Sequence, residues 1–280
     1  MQEFEISLDG FRLRGIRRPG AGRRCLALHG WLDNAGSFSR LLPHLPDWDL
    51  FALDLPGHGH SQWLPQPGCY HLIDGVRNVC MLLEQLAHDD LVLMGHSMGG
   101  ALASLAAAQA GSQVKALILL DALGPLTPPP EEAFQLFQRA LASEAKPHRR
   151  RYYASRQEAL ARVQEGGHSQ AAAAALAERS LMCDGKGYYY KFDPRLKAVS
   201  RARLTEEQVQ SFLRAILCPV QVLSFSEGIL PKFESTSTRL ACLQHKEWTE
   251  LTGGHHLHLE QPEVVASAIL DFLGGCHFGK

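Results

Sequence analysis

Apolar positions in this chain fall into two rhythms. Short apolar runs occupy residues 25–28, 50–53, 91–94 and 116–120, and a later, less continuous one lies at 220–225. They lack the polar alternation of a half-exposed strand and are too short for buried helices. Stretches of helical period lie at 73–86, 99–110 and 262–273. Unalternating strands separated by helices predict an α/β fold, a mostly parallel sheet with helices on both faces. Residues 4–14 instead alternate and break at Asp9-Gly10, which predicts a β-hairpin. Such sheets bind ligands beyond the carboxyl ends of their strands, so the chemistry is to be sought there.

The stretch 125–216 departs from this pattern. It opens on Pro125-Leu126-Thr127-Pro128-Pro129-Pro130, has no buried-strand run and reads as helical, with an Ala-rich segment at 171–177. Residues 131–216 carry 15 basic against 10 acidic side chains, a net of +5, while the remainder of the chain is −6. We expect a helical lid at 125–216, inserted into a core formed by 1–124 and 217–280. The lid contains the cluster His148-Arg149-Arg150-Arg151-Tyr152-Tyr153. Lys and Arg on helices usually form a solvated face; the sharper reading is a steering surface for anionic substrates such as acyl-CoA or a carboxylate-bearing ester. Tyr188-Tyr189-Tyr190 and Phe192 are expected to pack the lid onto the core.

Composition narrows the classes. With 280 residues, 45% hydrophobic, and a net charge of −1 from 28 basic and 29 acidic groups, the chain is neither disordered nor a basic nucleic-acid binder. No window of 18 uncharged apolar residues suggests membrane insertion, and the start, MQEFEISLDG, lacks the apolar region of a secretory signal. Seven scattered cysteines (Cys25, Cys69, Cys80, Cys183, Cys218, Cys242, Cys276) form no C-x-x-C pair, so no zinc knuckle or disulfide framework is expected. Reduced thiols in a cytoplasmic protein fit best.

The sharpest chemical signal is Gly95-His96-Ser97-Met98-Gly99, a G-x-S-x-G between an apolar strand and a helix. That context is what a nucleophile elbow requires. A strand turning at once into a helix leaves no space for β-carbons beside the nucleophile, hence the glycines, and it puts Ser97 on strained backbone at a helix N-terminus. A serine needs a base. Gly253-Gly254-His255-His256-Leu257-His258 supplies three histidines before the last helix. His255, leaving the Gly-Gly loop, is the first choice, with His256 and His258 as alternatives. H-H-x-H without carboxylates or cysteines at ligand spacing is a weak zinc signal, and no metal is expected. Oxyanion donors would be the backbone amides of Met98 and of Trp31 in His29-Gly30-Trp31.

Together, the segments 28–38 (Leu28-His29-Gly30-Trp31 onward), 54–61 (Asp54-Leu55-Pro56-Gly57-His58-Gly59 onward), 95–99 and 254–258 make the sequence resemble the serine-hydrolase-like family of α/β-hydrolases. The resemblance implies a cofactor-independent hydrolase with a helical cap. It carries over Ser97 and His255, with Trp31 and Met98 as oxyanion donors. The third triad member departs from the pattern: where most relatives place an Asp after the strand following the lid, this chain has Glu227-Gly228, with Gly228 at the expected position. Some hydrolases move the acid to the end of the preceding strand, where this chain has Asp121. Asp121 is preferred and Glu227 is its alternative. Asp54 is expected to brace the glycine-rich turn, and His96 to be a packed, hydrogen-bonded histidine pointing away from Ser97.

The expected activity is hydrolysis of carboxylic esters of small to medium acyl chains through an acyl-enzyme on Ser97. Acyl-CoA thioesterase, carbon–carbon bond hydrolase, perhydrolase and non-catalytic binding protein are the alternatives. A serine nucleophile disfavours dehalogenase and epoxide-hydrolase chemistry, which need a carboxylate there. The partner is a small-molecule ester or thioester; a homodimer is compatible with the sequence.

Overall fold

The computed structural model of the chain describes residues 1–45, 47–66, 68–145 and 149–275. His148 and Cys276 fall outside them. The strands are β1 (Gln2–Leu8), β2 (Phe11–Arg18), β3 (Arg24–Leu28), β4 (Asp49–Leu53), β5 (Leu91–His96), β6 (Ala116–Leu120), β7 (Leu181–Asp184), β8 (Gly187–Tyr190), β9 (Val220–Phe225) and β10 (Lys246–Leu251). The helices are α1 (Leu72–Gln85), α2 (Met98–Ala110), α3 (Ala133–Glu144), α4 (Arg156–Gln164), α5 (Gln170–Ser180), α6 (Glu206–Arg214), α7 (Thr236–Cys242), α8 (Leu257–Glu260) and α9 (Pro262–Gly275). Among the described residues no helix is long and apolar enough to cross a membrane.

Eight strands form one sheet in the order β1-β2-β4-β3-β5-β6-β9-β10. β1 and β2 make the antiparallel hairpin predicted at Asp9-Gly10, both of which have positive φ. β2 also pairs antiparallel with β4, and every later pairing is parallel. The apolar runs lack alternation because both faces are covered. Leu26 and Leu28 of β3 join one core cluster with α1, α2 and α6, while Cys25 and Ala27 join the other with α9. The period-2 geometry is intact; both phases are apolar. Helix α2, at the centre, is buried from Gly99 to Ala107, and its small side chains let it lie close to the sheet.

Between β6 and β9 the chain leaves the sheet. It forms α3, α4 and α5, then the hairpin β7–β8, then α6. The hairpin is a departure from the all-helical expectation and contains Tyr188, Tyr189 and Tyr190. Helix α6, started by a Thr205/Gln208 capping box, sends Val209 and Leu213 into the core beside α2. The edge strand β10 has the sequence Lys246-Glu247-Trp248-Thr249-Glu250-Leu251 and is largely exposed, so it carries none of the apolar signal that marks its neighbours.

Candidate active site

Ser97 stands between β5 and α2 with φ +52° and ψ −117°, a conformation that costs an L-residue strain. The neighbouring glycines make the turn sterically feasible. A Cβ on Gly95 would collide with the Gly99 carbonyl, and one on Gly99 with the Leu28 carbonyl. One on Gly100 would lie 2.5 Å from Ala122 Cβ. The same Gly99 Cβ would be 2.7 Å from the His29 carbonyl oxygen, so the start of α2 packs directly on the His29-Gly30-Trp31 turn. Met98 is the first residue of α2, and its amide has no intrahelical acceptor.

His255 enters from the loop between β10 and α8. Its Nε2 lies 2.9 Å from Ser97 Oγ and its Nδ1 2.5 Å from Asp121 Oδ2. Asp121, just after β6, is fully buried with φ +47°. Its Oδ2 accepts the Ile229 amide at 2.7 Å and its Oδ1 the Leu230 amide at 3.1 Å. Burial pushes the Asp121 carboxyl up, but the hydrogen bonds from His255 and these amides outweigh it and hold it below the usual carboxylate range.

Glu227, the alternative acid, is solvent-exposed, and among the described residues its carboxylate makes no hydrogen bond to His255. Its amide donates instead to the Gly253 carbonyl at 2.9 Å. Gly228 explains the arrangement: a Cβ there would collide with Asp121 Oδ2. The carboxylate reaching across from β6 fills the space that a side chain at the end of β9 would need, so a side chain at 228 and Asp121 in this pose exclude each other.

The two remaining histidines of the Gly-Gly loop are elsewhere. His258 is fully buried, with Nε2 2.9 Å from Ser37 Oγ. His256 packs on His168 of the lid at 4.0 Å between ring centroids, with Nδ1 4.0 Å from Asp33 Oδ2. His96, fully buried, donates from Nε2 to the His255 carbonyl at 2.8 Å, fixing the backbone that carries His255. Burial pushes the imidazoles of His96 and His256 below their ordinary value, His256 to about 3.

Two groups around the site carry roles that the sequence alone did not assign. His29 and His58 buttress the Trp31 turn: Leu55 donates to His29 Nε2 at 3.0 Å and Leu32 to His58 Nε2 at 3.2 Å. Each Nδ1–H in turn meets a carbonyl, Gly30 for His29 and Pro56 for His58, so both rings are neutral in one tautomer. Burial holds His58 down to about 3 and His29 below its ordinary value. Asp54 accepts the Ala35 and His60 amides at 2.7 and 2.8 Å, bracing the turn as expected. It also receives Arg179 of α5 at 2.8 and 2.9 Å, a tie from core to lid. Which of the 28 basic side chains meets Asp54 is not legible in the sequence.

A family model described as the alpha/beta hydrolase fold matches residues 26–262. The chain belongs to the α/β-hydrolase fold family. Within it, this α/β hydrolase resembles the serine hydrolase-like protein of Danio rerio, 30% identical over 97% of this chain and 88% of the relative. A solved hypothetical protein from Pseudomonas aeruginosa superposes with a TM-score of 0.88 at 36% identity, covering 98% of each chain. The thioesterase domain from the curacin biosynthetic pathway matches with a TM-score of 0.87 at 22% identity, over 96% of this chain and 99% of that one, which is a likeness of fold. The sheet, its flanking helices and the serine-hydrolase-like family agree with the sequence reading.

Proposed function

We propose that this α/β hydrolase cleaves carboxylic esters of small to medium acyl chains through an acyl-enzyme on Ser97. The observation that carries the reading is the unbroken hydrogen-bonded chain from Ser97 Oγ through His255 to buried Asp121, at 2.9 and 2.5 Å. In the first half-reaction Ser97 Oγ attacks the carbonyl carbon while His255 Nε2 takes its proton. Asp121 holds the imidazole by Nδ1–H and stabilises the imidazolium. The Met98 amide at the open end of α2 and the Trp31 amide take the oxyanion. Collapse breaks the bond to the leaving alkoxide, which departs with the proton from His255 Nε2. Water, deprotonated by His255, then attacks the acyl carbon; the tetrahedral intermediate expels Ser97 Oγ, which recovers its proton, and the acid is released.

The basic lid gives the thioesterase alternative little support. Arg179, Arg195 and Arg201 are already paired, with Asp54 and Glu3, with Asp193, and with Glu144. Arg150 lies over the Tyr189 ring at 4.1 Å. A groove of about 760 Å³ between the 63–71 loop and the lid contains Arg150, Arg195 and Arg201, but none of the triad.

Replacing the nucleophile tests the reading. Ser97→Ala should lower kcat for a short p-nitrophenyl ester by about 10⁴-fold or more, with unfolding midpoint little changed. Retention of most of the turnover would remove Ser97 from the mechanism.

A further inference from the structure

Beside His255, three imidazole nitrogens face the Asp33 carboxylate, whose Oδ2 also accepts from Ser37 Oγ at 3.4 Å. Asp33 Oδ2, His168 Nε2 and His256 Nδ1 lie within 4.8 Å of one another. His96 Nδ1 is a further 3.7 Å neighbour of Asp33 Oδ2. His96 Nδ1, His168 Nε2 and His256 Nδ1 are buried atoms with no hydrogen-bond partner among the described residues.

Two of these imidazoles have their tautomer fixed by the other ring nitrogen. His168 Nδ1 lies 3.2 Å from the Val163 carbonyl and His96 Nε2 2.8 Å from the His255 carbonyl. A carbonyl only accepts, so both contacts use the N–H and leave the opposite nitrogen as a lone pair. The two nitrogens so left face a carboxylate that is nearly buried. Buried acceptors set against one another are unfavourable unless a cation joins them. The arrangement is also that of metal-binding histidines elsewhere, whose second nitrogen donates to a backbone carbonyl and so aims the first at the ion.

We propose that Asp33, His168 and His256 form a site for a divalent transition-metal ion of the zinc class, with His96 Nδ1 as the adjacent fourth donor. Two imidazoles and a carboxylate favour zinc and its neighbours over magnesium or calcium, which prefer oxygen. With metal–ligand bonds of about 2.0–2.1 Å, tetrahedral donors stand about 3.4 Å apart. His256 Nδ1 and Asp33 Oδ2, now 4.0 Å apart, need to close by about half an ångström, within reach of side-chain rotation. The ligands come from separate segments: Asp33 from the turn after Trp31, His256 from the residue after His255, and His168 from the loop before α5 in the lid. An ion held there clamps the lid to the wall of the active site.

The H-H-x-H run alone looked poor in ligands because its carboxylate and its lid histidine are distant in sequence. The site does not depend on Ser97, so it stands or falls separately from the esterase reading.

The test is calorimetric titration of the metal-stripped full chain with zinc chloride, followed by cobalt(II) absorption and thermal unfolding. Wild type should take up one ion per chain with a Kd in the micromolar range or tighter, and zinc should raise its unfolding midpoint. His168→Ala should weaken binding at least tenfold and lose the midpoint shift. Asp33→Asn should do the same, while His71→Ala, at the start of α1, should bind as wild type does. Absence of stoichiometric uptake in wild type, or equal uptake by His168→Ala, would overturn the proposal.

Discussion

Leu119 in β6 is fully buried between α2 and the sheet, whereas Phe134, Phe137 and Leu141 on α3 leave between 43% and 69% of their surface in solvent. The core is held by apolar side chains on both faces of one sheet. The insertion adds apolar contact to the core through Ala172 and Leu176 of α5 against Leu259 of α8 and through Val209 and Leu213 of α6, and polar ties fasten the rest. Arg179 meets Asp54 and Glu3, Tyr70 donates to Asp193 at 2.7 Å, Asn34 to the Leu176 carbonyl at 3.0 Å, and Trp31 Nε1 to the Leu196 carbonyl at 3.0 Å. Several of these anchor points, Trp31, Asn34 and Asp54, belong to or brace the turn proposed to hold the oxyanion. The insertion between β6 and β9 is thus fastened to the turn proposed to hold the oxyanion, and disturbing its ties should reach the candidate site.

The tie most easily broken is Arg179. Arg179→Met leaves Asp54 buried without its cation and should cost about 3–5 kcal/mol in urea unfolding. Glu3, 59% exposed, should cost under about 1 kcal/mol as Glu3→Gln. Equal, small effects would mean that the lid rests on something other than this ion pair. Packing should separate the regions by a smaller margin. Leu119→Ala should cost near the upper end of about 2–5 kcal/mol and Leu176→Ala near the lower, because a three-residue cluster can close around the gap. Identical losses would erase the distinction between a two-faced core and a lightly packed lid.

The smallest effect concerns the seam between them. His58 is held near 3 in the folded chain against 6.5 ordinarily, facing His29, Asp54 and Asp33. Above pH 6.5 neither folded nor unfolded chain protonates it. Below 6.5 the unfolded chain takes a proton that the folded one refuses, so stability falls as pH drops from 6.5 towards 3, by up to about 1.4 kcal/mol per pH unit. His29, shifted the same way, steepens the fall. Denaturant titrations at pH 7.5, 6 and 5 should show a shallower slope for His58→Gln than for wild type; an unchanged slope would deny His58 its buried, neutral state.

How much could be read in advance follows the same division. Strands buried on both faces are legible as apolar runs, and β3, β4, β5, β6 and β9 lie where those runs are. The edge strand β10 is polar and exposed, so only its pairing with β9 defines it. The hairpin β7–β8 joins tyrosines with polar residues and carries no strand-like run. Ser97 and His255 sit in motifs whose glycines are required by local sterics. The choice between Asp121 and Glu227 is not local: it turns on the space beside Gly228 and on the Ile229 and Leu230 amides, which belong to the turn after β9. Asp33 and His168 meet His256 only through the tertiary fold.

The most direct test of the central claim is mass spectrometry after a fluorophosphonate probe on wild type, Asp121→Asn and Glu227→Gln. The account predicts labelling at Ser97 in wild type and at an undiminished rate in Glu227→Gln. Asp121→Asn, left with a misoriented imidazole, should label slower by about 10³–10⁴-fold. An unlabelled wild type, or Asp121→Asn labelling as fast as wild type, would contradict it.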